Sequence, residues 1–441
     1  LVGMILQDCL EQVRFRGEDC RFLFLAPGAS NFDAFNDAIG FRSIEVSETS
    51  LSPVVQNRIV VTPKAGDDNS IELVLLSEDR RLALGTIKAE RGFANPKTRL
   101  AAVAIELGRQ GRSLVYGTGP AHAEKIAKQI SSGLESVESE SLKALSEFIR
   151  KHVHPKFGLV SNVLKGVGVH YGKMPGLLRE SLEEAFKVGD LNYLVCTTTL
   201  FQGVNLPARN VFIDTPTRGK GEKLEAAELW NFAGRAGRLG KDIVGNVFLV
   251  DYESWDEKPL TNRTSFSIEP SFRHSVSNNF DLVMSRIKNE VVDDLTSKYT
   301  PSEAAAGLLI SRAAKGNVEI FVNRTLGDSI PSEHKDLLVY EAKSAFKRLQ
   351  LPIETVGINW TVNPYGQSRL LDRFRKAVEK GDIDAFIPLH PLSVSGDVYR
   401  NYLGVFSRIN KYIIGNNNSK FSNKLSGYAL DWMKGHPLPV I

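Results

Sequence analysis

Short apolar segments alternate with amphipathic segments between residues 95 and 250, and this alternation restricts the folds open to the chain. The amphipathic segments repeat apolar residues at the i, i+3, i+4, i+7 spacing of a buried helix face, as from Ala123 to Ile130 and from Leu178 to Phe186. Such alternation predicts an α/β fold, in which helices cover both faces of a parallel sheet. The predicted strands are residues 112–116, 167–170, 193–196, 211–213 and 247–250.

Polar motifs follow three of these strands. Thr118 comes after the first strand between two glycines, His170 ends the second, and Thr197 opens the segment after the third. A further motif, residues 231–238, precedes the last strand and carries two arginines and two glycines. Ligands gather at the carboxyl ends of parallel strands, so we expect all four motifs at one edge of the sheet. Arginine matches phosphate geometry, which predicts binding of phosphate groups there.

Two of the motifs resemble those of a known family. Residues 197–207 read T-T-T-L-F-Q-G-V-N-L-P and residues 231–238 read N-F-A-G-R-A-G-R. They are similar to motifs V and VI of superfamily 2 DExH-type helicases, in the Ski-like branch. The resemblance runs from residue 21 to residue 250. It implies the C-terminal part of such a protein, with a second RecA-like (P-loop NTPase-type) lobe and an α-helical accessory region. The Walker A and DExH boxes of the first lobe do not occur in the sequence.

The resemblance implies a role for each matching residue. Arg235 and Arg238 match arginine fingers, which neutralise charge on the transferring phosphoryl group and are the catalytic residues expected here. Contacts to ATP are implied for Gly203, Asn205, Asn231 and Gly234. Contacts to nucleic-acid phosphates are implied for Thr118, His170, Arg179, Thr197, Thr198 and Thr199. The implied cofactor is ATP with Mg, bound mainly by the first lobe.

Several positions depart from the family pattern or allow a second interpretation. Ala26, Pro27 and Gly28 stand where the family has Ser-Ala-Thr, which removes two hydroxyls that link the ATP state to strand movement. Asn231 replaces a longer Gln, and Phe201 replaces an Ala. For the implied contacts to nucleic acid a structural alternative stays open, since threonine is also common in β-strands and a lone histidine is often structural.

The chain divides into four predicted regions. Residues 1–40 are interpreted as the end of a first RecA-like lobe, 41–95 as an inter-lobe hairpin or linker, and 96–255 as the second RecA-like lobe. Residues 256–441 are predicted to be α-helical, with a winged-helix element as an open alternative. Residues 21–26 read as a buried strand. The predicted first helix, residues 1–20, has an apolar face of Val2, Ile5, Leu6, Cys9, Leu10 and Val13.

Composition sets weaker limits. The 55 basic and 51 acidic residues among 441 give a net charge of +4, which is compatible with a local basic channel but does not prove one. No apolar run reaches the ~18 residues of a membrane span, so we expect no membrane partner. The three cysteines form no C-x-x-C pair, so neither a disulfide framework nor a metal site is expected. A cytoplasmic protein is the expectation, or a nuclear one in a eukaryote.

Together these features predict part of an ATP-dependent helicase or translocase, inactive without its first lobe. The expected partners are single-stranded DNA or RNA and the missing N-terminal lobe, and a protein contact through the accessory region stays open. Two alternatives remain: a non-catalytic scaffold that binds nucleic acid or a partner, and an ATPase that remodels nucleoprotein without unwinding. The motifs do not separate DNA from RNA, and the 3′-to-5′ direction is implied only by the resemblance.

Overall fold

The computed structural model of the chain forms two compact units. The sheet unit comprises Glu48–Ser265 and Pro437–Val440, and the helical unit comprises Leu1–Ser47, Phe266–His436 and Ile441. The four predicted regions stay a prediction; here residues 1–47 group with the helices and residues 48–95 with the sheet. The structure describes residues 2–17, 20–25, 29–41, 44–47, 54–77, 80–90, 92–200, 206–219, 221–237, 244–258, 260, 266–290, 300–358, 360–393, 397–415, 418–438 and 440–441.

The described residues contain the following elements. The strands are β1 (Ala29–Ser30), β2 (Val55–Pro63), β3 (Ser70–Leu76), β4 (Arg81–Lys88), β5 (Ser113–Tyr116), β6 (Val167–His170), β7 (Tyr193–Cys196), β8 (Asn210–Ile213), β9 (Thr217–Arg218), β10 (Glu222–Lys223), β11 (Val244–Val250) and β12 (Phe266–Ser267). The helices are α1 (Val2–Arg16), α2 (Ala34–Ile39), α3 (Pro96–Leu107), α4 (Pro120–Ser132), α5 (Glu140–His152), α6 (Leu159–Val163), α7 (Gly176–Val188), α8 (Ala226–Ala233), α9 (Ser271–Asn278), α10 (Phe280–Lys288), α11 (Pro301–Ala314), α12 (Val318–Leu326), α13 (Ser332–Arg348), α14 (Ile353–Ile358), α15 (Pro364–Glu379), α16 (Val398–Ile409) and α17 (Ser419–Met433).

The sheet unit is built on one sheet of eight strands in the order β4-β3-β2-β11-β8-β5-β7-β6. The strands from β2 to β6 in this order run parallel, and β3 and β4 extend the sheet as antiparallel neighbours of β2. Strands β5, β6, β7 and β8 are buried along their whole length, which explains their mostly apolar sequences. The predicted α/β fold with a mostly parallel sheet is confirmed, as is the helical character of the C-terminal region.

The helix faces predicted around this sheet are also found. Helix α4 buries Ala123, Ile126, Ala127 and Ile130 against the core. Helix α7 buries Leu178, Leu182 and Phe186 and ends at Gly189, whose φ of 97° is left-handed. The apolar spacing therefore predicted which side of each helix faces the sheet.

The loop after α8 lies at the amino edge of the sheet, not at the carboxyl edge. Residues 234–237, called here the arginine loop, connect α8 to the segment that leads into β11. Ala236 forms a parallel bridge with Ala208, two residues before β8 begins. The N–H of Ala208 donates to the carbonyl of Arg235 (3.1 Å), and the N–H of Gly237 donates to the carbonyl of Ala208 (2.8 Å). The expectation that all four motifs share one edge is therefore wrong, because a crossover helix runs antiparallel to the strands and returns the chain to their amino ends.

The arginine loop is packed without spare volume at Gly237. Its φ of 78° is left-handed, and a Cβ there would lie 2.3 Å from Cγ1 of Val54 and 2.9 Å from the nitrogen of Gly245. The side chain of Gln56 on β2 adds a hydrogen bond to the carbonyl of Ala236 (3.0 Å). By contrast, Gly234 is exposed and has ordinary right-handed angles (φ −61°, ψ −8°). Of the two glycines, only Gly237 has left-handed angles, although a Cβ at Gly234 would also lie 3.0 Å from the carbonyl oxygen of Trp230.

Helix α1 of the helical unit forms as predicted but buries a different face. Ile5, Leu6 and Val13 are exposed, whereas Gln7, Asp8 and Glu11 are buried together with Met4. The reason lies on α11, where the guanidinium of Arg312 is buried. Its Nη2 lies 2.7 Å from Oδ1 of Asp8 and 2.7 Å from Oε2 of Glu11. The indole N–H of Trp360 donates to the other oxygen of Asp8 (3.0 Å). Paired charges, together with Met4 in the apolar core, therefore fix this helix.

The predicted buried strand at residues 21–26 is wrong within the described residues 21–25. They form no strand, and Leu23 and Leu25 are 85% and 86% exposed. No strand of the described residues pairs with them, so an extended segment here gains no ladder of hydrogen bonds. Instead the ring of Phe24 stacks on Phe35 (4.4 Å between centroids), and Phe22 packs against Phe41 (5.1 Å). Ala26, Pro27 and Gly28 lie outside the described residues.

Two further features limit the chemistry available to the chain. No helix in the described ranges is long and apolar enough to cross a membrane. Cys9 and Cys20 are exposed, whereas Cys196 is buried in β7, and its burial raises the pKa of the thiol. A buried thiol with a raised pKa is a poor nucleophile, so Cys196 acts as a small apolar residue.

We predict that Gly237→Ala destabilises the sheet unit by roughly 2–4 kcal/mol, because it adds left-handed strain to an overpacked site. Gly176→Ala is the matched control, because Gly176 is exposed and a Cβ there would meet no atom within 4 Å, and it should lower the free energy of unfolding by less than about 0.5 kcal/mol. Urea unfolding followed by tryptophan fluorescence measures both. Equal effects of the two substitutions would contradict the close packing of Gly237.

We predict that Asp8→Ala destabilises the helical unit by about 3–5 kcal/mol, because Arg312 then loses a buried partner. The control is Glu319→Ala, which removes an exposed partner 3.3 Å from Lys343 and should cost less than about 1 kcal/mol. Thermal unfolding of the two variants provides the comparison. A loss at Asp8 no larger than at Glu319 would rule out a structural role for the buried pair.

Candidate nucleic-acid interface and arginine loop

Three of the predicted motifs lie side by side at the carboxyl edge of the sheet. Tyr116, Cys196 and His170 end the neighbouring strands β5, β7 and β6 and are paired in register. The N–H of Gly117 donates to the carbonyl of Cys196 (2.8 Å), and the N–H of Thr197 donates to the carbonyl of His170 (3.2 Å). Backbone hydrogen bonds therefore join the three loops into one surface.

His170 supports this surface from below. Its ring is 1% exposed, with Nε2 2.9 Å from a carboxylate oxygen of Glu183 and Nδ1 3.2 Å from the hydroxyl of Thr199. Burial lowers the pKa of the imidazole, which favours the neutral ring despite the nearby carboxylate. A neutral ring that donates to Glu183 accepts from Thr199, and so orients that hydroxyl. In this conformation His170 has almost no surface to offer a strand, and its predicted nucleic-acid contact stays a prediction.

The threonines differ in how far they reach the surface. Thr198 and Thr199 are partly exposed in a short 3-10 turn, whereas Thr197 is buried with its hydroxyl 3.4 Å from that of Thr199. Thr118 is also partly exposed, and its hydroxyl lies 3.1 Å from Nδ1 of His122. Burial lowers the pKa of His122, so a neutral ring faces Thr118. Thr198 can thus donate to a phosphate oxygen in this conformation, whereas the hydroxyls of Thr118 and Thr199 already donate to His122 and His170 and would first have to turn away.

Arg179 adds a positive charge to the same edge. It lies in the first turn of α7 and is partly buried. Burial is the main cause of the lowered pKa of the His170 ring, and the positive charge of Arg179 lowers that pKa further. Its Nε is buried and has no hydrogen-bond partner among the described residues. A buried donor without a partner is costly, and an anionic oxygen at this position would satisfy it.

The residues predicted to meet ATP are only partly within the described structure. Asn231 and Gly234 are exposed at the end of α8, and Arg235 is partly exposed in the arginine loop. Gly203, Asn205 and Arg238 lie outside the described residues. The contacts of all these residues with ATP stay predictions.

The donor set near the arginine loop fits phosphate oxygens but not a magnesium ion. A guanidinium, an amide and backbone N–H groups can donate to a triphosphate, whereas Mg²⁺ requires oxygen ligands. Among the described residues, no group of three or more His, Cys, Asp and Glu side chains could hold a metal ion.

The sequence interpretation missed Asp214, which directly follows β8 at the carboxyl edge. Burial raises the pKa of Asp214 to about 6. The negative charge of Asp251 also raises it, whereas hydrogen bonds from Thr215 lower it. Its Oδ1 is buried with no hydrogen-bond partner among the described residues. An acidic residue immediately after an apolar strand is the signal that could have revealed it.

We predict that Asp214→Asn makes the sheet unit more stable at pH 8 but not at pH 4. Because the folded-state pKa of about 6 lies above the usual 3.8, protonated Asp214 contributes stability below pH 4, and that stability is lost as pH rises through 6. The gain at pH 8 should be at most about 3 kcal/mol. Urea unfolding at both pH values, with exposed Asp256→Asn as control, measures it. An equal effect of Asp214→Asn at both pH values would refute the prediction.

Comparison with known proteins shows similarity to helicases. Residues 143–240 match the helicase conserved C-terminal domain. The chain is 30% identical over 271 residues to ATP-dependent DNA helicase Hel308 of Pyrobaculum calidifontis, covering 59% of this chain and 36% of that protein. It is 23% identical over 342 residues to Hel308 of Methanocella arvoryzae, covering 74% and 45%. It is 27% identical over 231 residues to exosome RNA helicase MTR4 of Homo sapiens, covering 50% and 21%.

These matches agree with the geometry of the sheet unit. The matched domain begins in α5 and includes the ends of β6 and β7, α8 and the arginine loop. The chain spans less than half the length of each of these relatives. The predicted family resemblance is confirmed: the chain is similar to superfamily 2 helicases of the DExH type, and the matched domain belongs to their C-terminal part.

Proposed function

We propose that the chain works within an ATP-dependent nucleic-acid helicase or translocase. In this proposal Arg235 and Arg238 act as arginine fingers on ATP, and the carboxyl edge of the sheet holds a single strand. The observation that carries the proposal is the separation of the two sets of residues. The hydroxyls and Arg179 lie at the carboxyl ends of β5, β6 and β7, whereas the arginine loop bridges Ala208 at the amino end of β8.

The carboxyl edge suits a nucleic-acid backbone. Thr118, Thr198 and Thr199 are at least partly exposed there, and Arg179 supplies a cation. Contacts of this kind are made to phosphates and carry no sequence information. Binding should therefore be largely independent of sequence and should weaken steeply with salt.

The amino edge suits the phosphates of ATP held by a companion lobe. Arg235 is anchored through its carbonyl to Ala208, and the adjacent Gly237 is packed against Gly245. An arginine on a rigid loop loses little freedom when it meets a phosphate, which favours its use as a finger. When bound, ATP supplies the phosphoryl group whose charge such an arginine neutralises. Asn231 has a shorter side chain than the Gln of the family pattern, so it reaches less far toward the nucleotide.

Whether the bound strand is DNA or RNA is left to experiment. The relatives include proteins named as a DNA helicase and as an RNA helicase. The hydroxyl and guanidinium groups at the carboxyl edge address phosphates, which DNA and RNA share. Both polymers therefore belong in the test.

We predict that Arg235→Ala, in the protein that joins this chain to its first lobe, lowers nucleic-acid-stimulated ATPase turnover by about 10³–10⁵-fold. Arg109→Ala is the matched control, because Arg109 is exposed and forms a surface ion pair with Glu106. Turnover is measured with and without single-stranded DNA and RNA, beside an unwinding assay on a tailed duplex.

The outcomes separate the proposal from its alternatives. Stimulation by one polymer that is lost in Arg235→Ala and retained in Arg109→Ala supports a motor. Stimulation without duplex unwinding would identify an ATPase that remodels nucleoprotein instead. Turnover indifferent to Arg235 would mean that the sheet unit serves as a binding scaffold.

A further inference from the structure

A side pocket opens next to the carboxyl edge of the sheet unit, with a volume of about 420 Å³. It lies between the segment that follows α5 and the segment that joins β6 to α7. Phe157 and Tyr171 are partly buried in its wall, and Met174 and Leu178 are buried. This volume falls in the range of about 300–1,000 Å³ typical of ligand pockets.

The pocket combines this apolar wall with positive charge. Lys156 and Lys173 are exposed at its lining, together with His154. The Nδ1 of His154 accepts from the N–H of Lys156 (3.0 Å), so in the neutral ring Nε2 carries the proton and can donate. None of the residues that line the pocket is acidic. Its ligand should therefore pair a flat apolar body with negative charge.

The aromatic wall is held in place before any ligand arrives. The hydroxyl of Tyr171 donates to a carboxylate oxygen of Glu124 (2.6 Å), which fixes the ring. The N–H of Met174 donates to the carbonyl of Tyr171 (3.2 Å) and closes the turn after β6. The N–H of Phe157 donates to the carbonyl of His154 (3.1 Å), which orders the opposite wall. A preformed pocket costs little ordering entropy on binding.

The pocket is continuous with the proposed path of the strand. Tyr171 directly follows His170, whose backbone and ring contact Thr197 and Thr199. β6 is the last strand of the sheet, so the pocket lies beyond the end of the row of hydroxyls. A single nucleic-acid strand that crosses this row from the β5 side to the β6 side arrives at the pocket.

We infer that the side pocket receives one unstacked base of the single strand, with Lys156 and Lys173 contacting the flanking phosphates. The inference rests on the proposed function and adds a base-binding subsite to it. Unpaired bases are held in proteins by stacking on aromatic side chains, and such stacking tolerates any base. One captured base would fix the register of the strand without reading its sequence.

The test uses the protein that joins this chain to its first lobe, and a duplex with a 3′ single-stranded tail. The duplex end fixes the register, and one abasic residue is moved along a tail of about 16 nucleotides, as DNA and as RNA. Affinity is measured by fluorescence anisotropy. At one tail position the abasic residue should weaken binding by about 5- to 150-fold.

Variants link that position to the pocket. Phe157→Leu keeps an apolar side chain but removes the ring, so it should weaken binding to the intact tail similarly and be insensitive to the abasic residue. Tyr171→Phe keeps its ring and should retain the positional effect. Replacing Lys156 and Lys173 by Gln should reduce the slope of log affinity against log salt by about 2. Lys128 is exposed on α4 outside the pocket, so Lys128→Gln should leave the sensitive abasic position unchanged.

The possible results are distinguishable. Tight binding and ATPase stimulation with no sensitive abasic position would overturn the pocket and leave the proposed function intact. A sensitive position that persists in Phe157→Leu would assign the base to another site and likewise overturn the inference. If the unmodified protein binds no single strand, both the pocket and the proposed function fall.

Discussion

The direction of the strands determines where each polar motif of the sheet unit can lie. Six strands run parallel, so each connecting helix must bring the chain back to the amino edge before the next strand begins. A residue just after a strand, such as Thr118 or Thr197, therefore belongs to the carboxyl edge. A residue between a helix and the following strand, such as Arg235, belongs to the amino edge. One topological rule thus separates the proposed strand contacts from the proposed nucleotide contact.

The helical unit depends on a different kind of constraint. Asp8 and Glu11 share the guanidinium of Arg312, and Asp8 also accepts from Trp360. A buried ion pair of this kind stabilises less than its short distances suggest, because both partners lose their hydration. It is nevertheless specific, since no other register of α1 would bring two carboxylates to the same arginine. Helix α1 is therefore positioned by charge and presents Ile5 and other apolar residues to the outside.

The sequence predicted the sheet unit well where burial follows a simple period. Strands β6 and β7 were predicted with their observed bounds, and the buried faces of α4 and α7 followed from their spacing. Predictions failed where a distant residue decides the outcome. The polar face of α1 is buried only because Arg312 lies opposite, some 300 residues later in the chain. The exposed course of residues 21–25 depends on which strands are available to pair with them, and local sequence does not contain that information.

The candidate site shows the same division between local and distant information. Residue types at strand ends identified the carboxyl edge, but the side-chain partner of His170 is Glu183 on α7, across the β6–α7 connection. The segment that starts at Thr197 also links the two edges. Its threonines face the carboxyl edge, and by Ala208 the same segment bridges the arginine loop at the amino edge. A bound nucleic-acid strand that shifts Thr199 therefore acts on a segment that is covalently continuous with Ala208, which donates a hydrogen bond to the carbonyl of Arg235. In the proposed motor the contact of Thr199 with His170 and the hydrogen bond of Ala208 to Arg235 are the described ends of this connection between track and nucleotide.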